Sequence, residues 1–341
     1  MDASSLAAAL TPAVPFFATG KRSRDLARER GLSEAELLAE HDGPEVVRLR
    51  PEMEAIVEAL PSLGEVMSLT RNEAAVHEIV GTFGEISLSG HMGLVLNPPL
   101  DLRLLLKHWH HAFAVELPDE KGPRRSLQIF DAAGEAVIKI HLRPASDVAA
   151  FETLRERFAD PAPQPLAVVA YPVEELTGTA DAEAFRREFA AMRDVHEFFP
   201  MLRRHGLDRR GSLDLMDEAH VRRLGQGAAT ALLNAASEQA LPIMCFVGSR
   251  GCIQIFTGKV KTIKAMGPWI NVLDPGFDLH LREDLVAEAF EVRKPSKDGD
   301  LTTVELYDSE RRLIAQFYGE RRRDHPEEDA WRQLTAGIAG G

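Results

Sequence analysis

His196 is the residue in this 341-residue chain whose type and setting are best suited to chemistry. It sits in RDVHEFFPMLRRHG (193–206). A helix over Asp181–His205 carries Phe185, Phe189, Met192, Val195, Phe199 and Leu202 on one side, and the same spacing predicts His196 on that apolar face. Such a histidine is either a core residue with its hydrogen bond satisfied or a neutral ligand presented from a greasy wall. The second arrangement is what an axial ligand to haem iron requires. Pro200 removes a helical N–H and is expected to bend the helix there.

A second group lies near the C-terminus. QFYGERRR (316–323) places Gln316 and Tyr318 on one face of a strand with Arg321 just past its end, and VRKP (292–295) adds Lys294 on a strand-like segment. The arginine run is either a solvated basic turn or a receiver for carboxylates. In KHWHHAF (107–113), a strand would put His108 and His110 on one face. That is a metal site or a polar strand face beside a buried Trp109. Cys245 and Cys252 read as buried packing in a reducing compartment, not as a disulfide framework. The sequence has no GxGxxG, Walker A, GxSxG, CxxC or HExxH motif.

The elements that must position these groups come from an internal duplication. Shifted by 177, residues 67–141 align on 244–318 without a gap, with 16 of 75 identical. Identities include Gly81/Gly258, Gly90/Gly267, Pro98/Pro275, Asp101/Asp278, Phe113/Phe290, Gly122/Gly299 and Asp131/Asp308. Typical composition would give roughly five by chance. Under this alignment Cys245 and Cys252 fall on the small residues Ser68 and Ala75. The histidine cluster falls on Leu285, Ala287 and Glu288, which hold no ligand pair. Apolar or aromatic runs at about ten-residue spacing, bounded by turns such as Asp131–Gly134 and Lys297–Asp300, predict antiparallel meanders. Helices precede each copy: 31–41 with Ser33 and Glu36 as a capping box, Pro51–Leu60, and Asp181–His205 closed by Gly206. PAPQP (161–165) reads as the linker, dividing the chain into repeats over 1–160 and 161–341, with the His196 helix at the front of the second. The fold class expected is α+β, a tandem repeat of two antiparallel sheets packed with helices.

A balance of 40 Lys+Arg against 53 Asp+Glu gives a net charge of −13, which argues against nucleic acid or an anionic membrane surface as a general partner. A small anionic ligand in a local basic pocket remains compatible. No segment is long and apolar enough to span a membrane, and the N-terminal stretch lacks the basic start of a signal peptide, so a cytoplasmic protein is expected.

Taken together, RDVHEFFPMLRRHG, LTRNEAAVHEIVG (69–81), DLRLLLKHWHHAFAVELP (101–118), FVGSRGCIQIFTG (246–258), MGPWINVLDPGFDLHLRED (266–284) and QFYGERR resemble the HemS/ChuX-type haem-utilisation proteins over roughly residues 30–335. The likeness is to the long, two-copy members called haem-degrading or haem-trafficking factors. It implies a cytoplasmic haem-binding protein of bacterial iron acquisition, with haem between the helix of the axial histidine and strands of the second half. By motif, His196 would be the iron ligand and Arg103 would stand on the distal side. Lys294, Gln316, Tyr318 and Arg321 would line the pocket and its propionate end.

Two uses of such a pocket follow from the resemblance. One is oxidative opening of the haem ring with release of iron, Arg103 serving as hydrogen-bond donor to dioxygen and a redox partner supplying electrons. The other is a carrier that takes haem from an inner-membrane importer to a separate haem oxygenase. A structural or regulatory role without haem would require His196 and the second-half pocket to be mere core. The duplication predicts one haem per chain: at the shift of 177, His196 falls on Thr19 and Arg103 on His280, so neither residue is repeated.

Overall fold

The computed structural model describes residues 21–171, 181–321 and 326–341. Its strands repeat the sequence duplication element by element. The first copy contributes β1 (Val46–Leu49), β2 (Gly64–Arg71), β3 (Ala75–Thr82), β4 (Ile86–Ser89), β5 (Met92–Asn97), β6 (Leu100–Leu105), β7 (His111–Leu117), β8 (Arg124–Phe130) and β9 (Ala136–Ser146). The second contributes β10 (Val221–Leu224), β11 (Ile243–Gly248), β12 (Cys252–Gly258), β13 (Ile263–Met266), β14 (Trp269–Asp274), β15 (Phe277–Arg282), β16 (Glu288–Lys294), β17 (Leu301–Tyr307) and β18 (Leu313–Gly319). From β4 to β8 both ends of each strand recur 177 residues later.

The strands form two antiparallel sheets, of order β1-β7-β8-β9-β2-β3-β15-β14-β13 and β10-β16-β17-β18-β11-β12-β6-β5-β4. Each sheet therefore takes six strands from one copy and three from the other. The copies exchange their β4–β6 and β13–β15 meanders, joined by β15 on β3 and by β6 on β12. This exchange carries Arg103, a first-copy residue, into the sheet built by the second copy.

Alternation along the strands decides the layers. One face of each sheet, with Val66 and Ile79 or Cys245, Val247 and Cys252, is buried in a single core that spans both sheets. At its centre lies a small polar network. Ser68 donates to Gln254 Oε1 (2.7 Å), and the Gln254 amide donates to the carbonyls of Ser68 (3.1 Å) and His77 (2.8 Å). Both cysteines are buried there as free thiols. Helices α3 (Met53–Ala59) and α4 (Val148–Phe158), and in the second copy α8 (Ala228–Glu238) and α9 (Asp329–Ala336), complete this core.

The outer face of each sheet is covered by a short helical pair, α1 (Ser23–Glu29) with α2 (Glu34–Ala39), and α6 (Phe198–Arg204) with α7 (Arg209–Leu213). The capping box at Ser33 forms as expected. Gly206 closes α6 at φ +62°, a conformation glycine adopts without a Cβ clash.

The helix expected over Asp181–His205 is interrupted. α5 (Ala182–Ala190) stops, the chain turns, and a 3₁₀ turn at Val195–Glu197 precedes α6. Asp194 restarts the helix: its side chain accepts the His196 N–H (2.9 Å), while the Glu197 carboxylate accepts the Asp194 N–H (2.9 Å). This reciprocal cap defeats the continuous 3.6 periodicity. His196 accordingly does not lie on an apolar helix face; its side chain is 89 % exposed. Phe199 is exposed as well, and Phe198 takes the buried position. Pro200 falls in the first turn of α6, where a missing N–H costs little, and bends no helix. The histidine cluster also departs from expectation. Leu106–His108 is a 3₁₀ turn and β7 begins only at His111, so His108 and His110 do not share a strand face.

Candidate functional site

The register of the second sheet places four of the six expected site residues on one surface. Directly opposed residues in an antiparallel pair point to the same side. Arg103 opposes Ile253, and Ile253 opposes Gly248 on β11. Two and four residues along that strand, Phe246 opposes Gln316 and Met244 opposes Tyr318. Gln316 in turn opposes Glu305, Glu305 opposes Phe290, and Lys294 lies four residues beyond Phe290. Arg103, Gln316, Tyr318 and Lys294 thus share the outer face, with β6 three strands and about 14 Å from β18.

Lys294 does not stand free on this face. It is 2 % exposed, and its Nζ donates to Glu305 Oε1 at 2.6 Å. Arg209, the first residue of α7, donates to the same oxygen at 2.8 Å, and Gln316 Nε2 donates to it at 3.0 Å. Tyr307 donates its hydroxyl to Glu305 Oε2. Burial opposes the charge on Glu305, but the attraction of Arg209 and then Lys294 outweighs it and brings the carboxyl down to about 2. Two cations against one carboxylate leave one positive charge over in this buried cluster, in a chain of net charge −13.

Aromatic contacts tie the cluster to the His196 segment. Lys294 Nζ lies 5.2 Å from the Phe198 ring centroid and 6.0 Å from that of Tyr318, which packs against Phe246 at 5.1 Å. The Arg209 guanidinium lies over both Phe198 (5.4 Å) and Phe199 (4.9 Å). The Lys297 N–H donates to the Arg193 carbonyl (2.8 Å), pinning the turn before His196 to the β16–β17 loop.

His196 is itself oriented. Its Nδ1 lies 2.6 Å from Asp194 Oδ1, so Nδ1 is the donor to that carboxylate and Nε2 is the ring nitrogen it leaves for a ligand. A carboxylate behind the ring is the arrangement that fixes the tautomer of a metal-ligating histidine. The hydrogen bonds from the His196 backbone and ring, with a smaller pull from Arg321, hold the Asp194 carboxyl below its usual range. Arg321 is exposed, just past the end of β18, and close enough to Asp194 for that attraction. Arg103 is half-buried and paired with Asp101 on its own strand.

The arrangement can hold a flat apolar ligand with acidic substituents. It offers an exposed imidazole, an exposed Phe199 three residues on, an apolar strip of Met244, Phe246 and Ile253, and surplus positive charge. Glu305, Arg209, Tyr307 and Asp194 complete the expected set. One signal for Glu305 was present in LTTVELY, a single carboxylate in a strand otherwise without charge. Arg209 carried none, because nothing in RRG marks which arginine turns inward. Among the described residues no group of three or more His, Cys, Asp or Glu could hold a bare metal ion, and no helix is long and apolar enough to cross a membrane.

A family profile for the haemin-degrading HemS.ChuX domain matches twice, at residues 31–158 and 206–338. The chain is 40 % identical over 321 residues to the hemin transport protein HmuS of Yersinia pestis, covering 94 % of this chain and 93 % of that one. The hemin transport protein HemS of Yersinia enterocolitica gives the same identity and coverage. The fold superposes on holo-PhuS, a heme-binding protein from Pseudomonas aeruginosa, with a TM-score of 0.90 at 42 % identity and 94 % of each chain covered. It also superposes on ChuS, described as an E. coli heme oxygenase, with a TM-score of 0.87 at 38 % identity, covering 94 % of this chain and 98 % of that one. With both copies matched and relatives of this similarity along nearly the whole chain, the protein belongs to the haemin-degrading HemS/ChuX family.

Proposed function

We propose that this protein binds one haem on the outer face of the second sheet and serves bacterial haem-iron acquisition in the cytoplasm. The observation that carries the reading is His196, an exposed imidazole whose Nδ1 is held by Asp194. His196 supplies the axial nitrogen. Gln316 and Tyr318 line the pocket, Arg321 receives a propionate, and the buried Lys294 adds its positive charge from beneath. A ring with two carboxylates suits a local basic cluster in an acidic chain. Titration with hemin tests this: a saturable Soret band that His196→Ala abolishes or shifts supports it, and no saturable binding by the intact chain overturns it.

Arg103 favours a further step, oxidative opening of the ring, because it stands on the same sheet face as Gln316 and Tyr318 and carries N–H groups suited to dioxygen. Reducing equivalents come from a redox partner. The exposure of His196 favours the other use, delivery of haem from an importer to a separate oxygenase. Aerobic turnover with a reductant and catalase present separates them: iron release marks the enzyme, intact haem the carrier.

A further inference from the structure

Glu305 is the most completely satisfied carboxylate on the outer face and has no contact of its own to offer a ligand. It is fully buried and accepts from Lys294, Arg209, Gln316 and Tyr307. Each donor comes from a different element: β16, α7, β18 and β17. Oε1 takes three of these bonds and Oε2 one.

We propose that Glu305 is the positioning residue of the haem pocket, fixing Lys294 and Gln316 on the pocket floor and, through Arg209, fixing the segment that carries His196. The proposal rests on the haem-binding reading above and adds a residue that touches no part of the ligand. Lysine is a point charge on a flexible stem, and it becomes a defined donor only when one of its N–H bonds is anchored. The Glu305 contact anchors it, and, buried against the Phe198 and Tyr318 rings, its ammonium acts on an incoming carboxylate through its charge. Arg209 has one face on the Phe198 and Phe199 rings and one N–H on Glu305. A shift of that carboxylate is therefore passed to the helix that begins two residues after His196. A pocket built this way binds its ligand more tightly because its groups are already in place.

Charge and position make opposite predictions for Glu305→Gln, so its sign is informative. The substitution adds one net positive charge beneath the site, and charge alone would strengthen binding of an anionic haem. The amide keeps one acceptor oxygen, but without the negative charge it holds Lys294 weakly, leaves it repelled by Arg209 and turns a donor towards groups that themselves donate. We expect Glu305→Gln to bind hemin at least about tenfold more weakly than wild type, with a smaller loss for hemin dimethyl ester, which shares only the part passed through Arg209 to His196. Glu305→Asp, which keeps the charge, should recover most of the hemin affinity. Hemin binding by Glu305→Gln as tight as wild type or tighter overturns the proposal, as does an equal loss for hemin and its ester. Arg209→Leu is the second variant. It leaves Glu305 and Lys294 as a balanced pair and cuts only the link to Phe198 and Phe199. Mixed iron ligation in its absorption and resonance Raman spectra supports the proposal, and a single wild-type ligation state overturns the coupling. Failure of wild type itself to bind hemin would refute the haem reading, a result distinct from any of these.

Discussion

Glu34 and Arg209 occupy the same place in the two copies with opposite charge. Each opens the short second helix of its outer pair, directly after a capping side chain, Ser33 or Asp208, and three residues after a positive-φ glycine, Gly31 or Gly206. Each turns inward to the outer face of its sheet. Glu34 accepts from Lys139, Arg71 and Ser23. Arg209 donates to Glu305 beside Gln316, the second-copy counterpart of Lys139. The helical pairs are related by a shift of 175, not 177, so the counterpart of His196 is Lys21, while Thr19 lies outside the described residues. Lys21 donates to Glu29 and, as an ammonium, has no lone pair for iron. The first copy thus places its own carboxylate where the second places a cation.

From this asymmetry we expect one specific haem per intact chain. Native mass spectrometry after hemin loading should show a single retained haem, and two tightly held haems would count against the reading. A fragment ending at residue 165 lacks β13–β15 and leaves the bonding edge of β3 open. It should not bind haem with native affinity, and size-exclusion chromatography should show it self-associated by exchanging β4–β6 between copies.

His196→Ala should change haem ligation without changing the stability of the haem-free protein. An 89 %-exposed side chain contributes within about 0.5 kcal/mol to folding. Asp194→Asn should weaken iron ligation by about 10- to 100-fold through loss of the carboxylate behind the ring. Hemin titration and thermal melts of the same samples check both. A large drop in melting temperature for His196→Ala would show that the residue is structural.

Lys294 and Arg321 should separate in the same pair of measurements. Lys294→Met breaks a buried ion pair, although Arg209 still faces Glu305. It should cost about 2–3 kcal/mol of stability as well as hemin affinity. Arg321→Met should leave stability unchanged and weaken hemin by about tenfold. Equal melting temperatures for the two variants would contradict the buried setting of Lys294.

Stability should fall on acidification in two stages. Burial holds His77 neutral and lowers its pKa from 6.5 to about 3, so below pH 6.5 the unfolded chain takes up a proton that the folded chain refuses. His141, at about 4, acts in the same direction. Glu305 and Glu34 titrate near 4.5 when unfolded and about 2 when folded. Their stabilisation is complete above about pH 5 and is lost as pH falls from 4.5 towards 2, on the order of 3 kcal/mol for each carboxyl. Thermal melts from pH 7 to pH 3 measure this. His77→Gln should flatten the upper stage and leave the lower one, and an unchanged upper slope would remove His77 as its cause.

The sequence by itself determined the duplication, the meanders and the types of residue at the site. Repeats, turn signals and alternation are local properties, so the strands follow the shift of 177 residues and Gln316 and Tyr318 share a face as expected. The motif around His196 marked the residue, but periodicity misplaced it, because a two-residue cap at Asp194 outweighs a run of apolar spacings. Three things were decided only by tertiary structure. The exchange of β4–β6 for β13–β15 brings Arg103 onto the same sheet as residues some 200 positions away, and strand pairing of that range leaves no local trace. The inward turn of Arg209 depends on a buried carboxylate on β17 that no spacing in RRG encodes. The state of Lys294, anchored by Glu305 in a cluster with one positive charge over, follows from desolvation and the competition of two cations for one oxygen. Those energies exist only once the helix is seated on the sheet.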